Sequence, residues 1–74
     1  MKVYRLEVSF SANVKNFDVL TTQVERAVGQ DTTDSGFGFG RRDLGFEFTS
    51  MQAALAAQAA VGDLHLEDYT SDIV

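Results

Sequence analysis

Seventy-four residues, 45% of them hydrophobic and including six Phe and two Tyr, supply enough apolar surface for one core and not for two. Six Lys and Arg against eleven Asp and Glu give a formal net charge of -5, which opposes approach to phosphate backbones and anionic lipid surfaces. The chain has no cysteine, so it offers neither disulfides nor thiolate ligands, and this composition fits a reducing, cytoplasmic setting.

From the start of the chain, residues 2 to 10 alternate. Tyr4, Leu6, Val8 and Phe10 fall on one side and Val3, Arg5, Glu7 and Ser9 on the other, the period of a half-buried strand. The regular interruption by charge excludes the unbroken apolar stretch of a signal peptide, and no segment is long enough to span a bilayer. After the polar stretch Ser11 to Asn16, the residues Phe17, Leu20, Val24, Ala27 and Val28 recur at helical spacing, with Asn16 as the expected cap and Gly29 as the expected C′ residue.

Residues 30 to 35 have loop chemistry without periodicity. Alternation then returns twice between Gly36 and Thr49, with Phe37 and Phe39 on one face and later Leu44, Phe46 and Phe48. Gly40-Arg41-Arg42-Asp43 is expected to form the reversal of a hairpin. The Thr49-x-x-Gln52 spacing suggests a capping box, and the alanine-rich segment to Val61 predicts a helix stopped by Gly62. Leu64 and Leu66 suggest a short final strand followed by a polar tail.

This order, β-α-β-β-α-β over residues 1–74, predicts a single ferredoxin-like split βαβ domain, with a four-stranded antiparallel sheet and two helices on one face. The expected core sets Tyr4, Leu6, Val8, Phe10, Phe37, Phe39, Leu44, Phe46 and Phe48 against Phe17, Leu20, Val24 and Leu55. The opposite face is assigned Arg5, Glu7, Ser9, Gly36, Gly38, Gly45 and Glu47, with His65 and Glu67 on the last strand, and is left without a covering layer.

Gly36-Phe37-Gly38-Phe39-Gly40 lacks the third glycine of a dinucleotide fingerprint and the Lys-Ser/Thr pair of a P-loop. Leu44-Gly45-Phe46-Glu47-Phe48-Thr49 resembles the aromatic motif of the RRM family, which has the same element order. Displaying Phe46 and Phe48 for RNA would, however, turn Glu47 into the core, and the net charge is of the wrong sign. The anion cradle that acylphosphatases carry after the first strand is absent from Ser11–Asn16, which has neither glycine nor arginine. His65 is the sole histidine, and no carboxylate grouping has the ordered spacing of a calcium loop, so no catalytic, cofactor or metal residue is assigned.

The expectation is therefore a noncatalytic small acidic protein that acts by binding another protein or protein complex, as an adaptor or inhibitor. Inhibitors that phages direct against bacterial defence complexes are similar in size and charge. Arg5, Glu47, Arg41, Arg42, Gly36 and Gly38 are the candidate contact residues. An acidic pole of Asp31, Asp34 and Asp72, mimicking nucleic acid or steering a basic partner, is the alternative contact surface, at the end opposite to one holding Arg41, Arg42 and Lys15. A ligand-sensing or oligomerising module of the ACT type, which would self-associate as a homodimer, is the competing class.

Overall fold

The computed structural model describes residues 2–74. The elements are β1 (Tyr4–Ser11), α1 (Phe17–Val28), β2 (Asp34–Gly38), β3 (Arg41–Phe48), α2 (Met51–Gly62) and β4 (Thr70–Ile73). The strands make one antiparallel sheet in the order β2-β3-β1-β4, and α1 and α2 lie together on one side of it, which is the ferredoxin-like split βαβ arrangement.

Period-two alternation decides which side of the central strands meets the helices. Leu6, Val8 and Phe10 of β1 and Leu44, Phe46 and Phe48 of β3 are buried and lie opposite one another in register. Val24 of α1 is fully buried above them, and Phe17, Leu20, Ala27 and Val28 pack at its margin. In α2 the buried stripe is Ala54, Ala57 and Val61, where methyl-sized side chains let the helix lie close to the sheet. Leu55, expected in the core, stands one position round the helix and is 52% exposed.

The final strand lies later than expected. Leu64 and Leu66 belong to the connection after α2, where His65 and Asp68 take left-handed φ values of 54° and 50°, which an extended strand does not accommodate. Their side chains, with that of Tyr69, still pack against the core margin. β4 then pairs Thr70 with Ser9, Asp72 with Glu7 and Ile73 with Leu6. His65 and Glu67 are therefore exposed loop residues and not members of the sheet face.

The hairpin reverses earlier and more tightly than expected. Gly38 pairs with Arg41, leaving Phe39 and Gly40 as a two-residue turn with φ of 54° and 74°, the type I′ geometry whose twist matches its strands. Arg41, Arg42 and Asp43 therefore belong to β3, and Phe39 is a fully exposed turn residue instead of a core residue. Phe37 is at the core margin, 40% exposed, with its ring 5.0 Å from that of Phe17.

Both helix caps differ in detail from the sequence expectation. Asn16 does not cap α1 with its side chain, which instead accepts from the Asn13 N–H at 2.8 Å inside a local turn. α2 is capped by Ser50, whose Oγ accepts from the Ala53 N–H at 3.0 Å, so the Thr49–Gln52 box does not form. Gly29 closes α1 in the left-handed conformation, as expected.

Candidate functional site

With both helices on one side, the opposite side of the sheet is uncovered among the described residues. The strand registers fix what stands there. One row runs Asp34, Gly45, Glu7, Asp72 across the four strands, and the next runs Gly36, Asp43, Ser9, Thr70. Arg5 and Glu47 share a neighbouring row, and Gly38, Arg41 and Ser11 another. The middle of the face forms a shallow depression of about 380 Å³, lined by Arg5, Glu7, Asp34, Gly45 and Asp72 among others.

Gly45 organises the centre of this face. Its missing side chain leaves a lane through which Arg5, on β1, reaches over β3 to Asp34 on β2. An added Cβ at Gly45 would collide with the Arg5 guanidinium and the Asp34 carboxylate. The same guanidinium donates from Nε to Glu7 at 3.0 Å. Hydrogen bonds to Asp34 and then Glu7 raise the Arg5 pKa above its ordinary value. Both partners are more than half exposed, which limits the pair to about 0–1 kcal/mol of stability.

Several contact expectations change with this geometry. Arg5 and Glu47 are register partners, yet the guanidinium turns to Asp34 and Glu7 instead of to Glu47. Arg41 and Arg42 occupy opposite sides of β3. Arg41 is on the open face and donates to Ser9 Oγ at 3.1 Å and to the Asp68 carbonyl at 2.7 Å. Arg42 is on the helix side, where it donates to Thr21 Oγ1 at 3.0 Å and lies 5.2 Å from the centre of the Phe17 ring, covering that ring's exposed flank. Arg42 is thus part of the packing and not of the open face. Gly36 and Gly38 lie on that face along its outer strand, with open space where a Cβ would stand.

The acidic pole does not form as a separate end of the molecule. Asp34 and Asp72 stand at opposite ends of one row of the open face, with Gly45 and Glu7 between them, while Asp31 is exposed in the connection before β2. The two surfaces that the sequence suggested as alternatives are therefore largely one. Glu7, Asp34, Asp43, Glu47 and Asp72 set five carboxylates there against the guanidiniums of Arg5 and Arg41, both already engaged within the chain.

Asp43 and Phe39 went unrecognised in the sequence as notable surface residues. Both depended on the position of the turn, which the Phe39-Gly40 step conceals because phenylalanine is an unusual first residue for it. Among the described residues no group of three or more His, Cys, Asp or Glu is placed to hold a metal ion, and no helix is long and apolar enough to cross a membrane. The chain matches no protein-family model, no curated protein and no solved structure.

Proposed function

We propose that this is a noncatalytic binding protein, an adaptor or inhibitor by class, whose open sheet face docks a basic protein surface. One observation carries the reading: five carboxylates share an uncovered face with two guanidiniums, of which Arg5 is paired with Glu7 and Asp34, so the face is negative in balance. Such a face attracts Lys and Arg side chains and repels phosphate backbones. The depression is shallow and polar, which suits a protein surface that interdigitates with side chains and water. A cytoplasmic setting, in keeping with the cysteine-free composition, is part of this proposal.

Immobilised protein exposed to a cell extract tests the reading. The parent chain is expected to retain a basic protein that elutes between about 0.15 M and about 1 M salt, as the Debye length falls from about 8 to about 3 Å. A variant combining Glu7→Gln, Asp34→Asn and Asp72→Asn should lose that retention while keeping the parent's circular dichroism. Equal retention by parent and variant would overturn the proposal.

A further inference from the structure

The outer edge of β2 is an unprotected template for another strand. β2 is one of the two edges of the sheet. The Gly45 carbonyl points to this side, accepting from the Thr33 N–H at 2.7 Å, and the two-residue turn makes Gly38 and Arg41 a hydrogen-bonded pair. Alternation then directs the backbone groups of Asp34, Gly36 and Gly38 inward to β3 and those of Ser35 and Phe37 outward. No strand among the described residues meets them. Edges are ordinarily blunted by Lys, Pro, a bulge or an inward charge, and β2 has no Lys or Pro and a single charge, Asp34 at its first position, whose carboxylate is turned to Arg5 on the open face. Beside this bare edge stand the half-covered ring of Phe37 and the fully exposed ring of Phe39, the latter held out by a left-handed backbone.

We propose that a second copy of this chain pairs antiparallel along β2, about a two-fold axis at Gly36, to make a continuous eight-stranded sheet. In that register Ser35 lies opposite the partner's Phe37, and the outward N–H and C=O groups of both residues on both copies are satisfied. Self-complementarity selects a second copy over a foreign strand. On the open side Gly36 meets the partner's Gly36 and Asp34 meets the partner's Gly38, so no two carboxylates face each other across the seam. On the helix side the seam covers the exposed flank of Phe37, while Phe39 stands beside it in the turn, beyond the paired residues. Only the two Phe39 rings are fully open in the monomer, at about 150–250 Å² each when buried, and the Phe37 rings, 40% exposed, add less, so the interface is smaller than stable ones and the dimer is weak and concentration-dependent.

Sedimentation equilibrium from about 1 μM to about 1 mM tests this. The parent should pass reversibly from 8.1 kDa to twice that mass. Gly36→Lys sets two ammonium groups at the two-fold axis, and since nothing lies within 4 Å of an added Cβ there, the monomer keeps its fold. Ser35→Pro removes an outward donor without touching the β3 ladder. Each variant should weaken association by about tenfold or more with an unchanged circular dichroism spectrum. A parent that stays at 8.1 kDa throughout, or a dimer of undiminished affinity in the folded variants, overturns the proposal. Ser35→Pro changes no charge on the open face, so loss of the dimer with retained capture of a basic protein in that variant separates this inference from the docking reading, whereas the ammonium group of Gly36→Lys, on the open face, should weaken both.

Discussion

Phe39 is the residue whose local chemistry fits its position least well. The first position of a type I′ turn favours asparagine, aspartate or glycine, because a side chain with φ near +54° crowds the backbone. Phenylalanine there also exposes its whole ring to water. Replacement by asparagine removes both penalties in the monomer and should stabilise it by about 1 kcal/mol. That corresponds to a rise in Tm of about 4–8 °C for a chain of this size. The melt belongs at low micromolar concentration, where self-association does not contribute, and a lower Tm for Phe39→Asn would show that the ring makes a stabilising contact within its own chain. The same residue explains why the turn was hard to place. Phe37 and Phe39 alternate as core residues do, and only the glycine at position 40, with Gly38 paired to Arg41, reveals that the second of them has already left the strand.

At the scale of elements, β3 carries the fold, since it pairs with β1 on one side and β2 on the other and buries Leu44, Phe46 and Phe48 beneath the helices. Phe46 is fully buried at its middle, opposite Leu6. Phe46→Ala should therefore cost about 3–5 kcal/mol, a large part of the 5–15 kcal/mol that stabilises a typical domain. Chemical denaturation monitored by far-ultraviolet circular dichroism measures it, and a loss below about 1 kcal/mol would mean that the ring is not the centre of the core. The second half of β3 was legible in the sequence because the alternating Leu44, Phe46 and Phe48 are buried, whereas Arg41, Arg42 and Asp43 were expected in the turn. β4 was not legible, because Leu64 and Leu66 mimic alternation while the backbone turns left-handed at His65 and Asp68. The true strand, Thr70–Ile73, shows a single bulky apolar residue among small polar ones, and its register is set by β1 more than by its own pattern. Leu55 failed for a related reason. In a helix that is apolar nearly all round, the largest side chain does not mark the buried face, and the alanine stripe does.

Across the whole molecule, the sequence revealed that one sheet face would be uncovered but not how its charges would gather. The element order alone predicts the bare face. The convergence of Asp34 and Asp72 with Glu7 on one row depends on registers that move when a strand start moves by two residues, and β2 begins at Asp34, inside the expected loop. This placement separates local complementarity from overall charge. Asp31 and Asp72 are both exposed, and neutralising either changes the net charge of -5 by one, yet only Asp72 stands on the row beside Glu7. If the open face steers a basic partner, Asp72→Asn should slow association measurably more than Asp31→Asn, with little change in dissociation for either, because a rim carboxylate acts chiefly on the encounter. The difference should shrink as salt rises from about 0.15 M toward about 1 M, since the Debye length then falls below the spacing between neighbouring strands. Stopped-flow or surface-binding kinetics with the captured basic protein resolve the two rate constants. Equal slowing by both substitutions would assign the attraction to net charge, and the row of Asp34, Glu7 and Asp72 would have no special part in recognition.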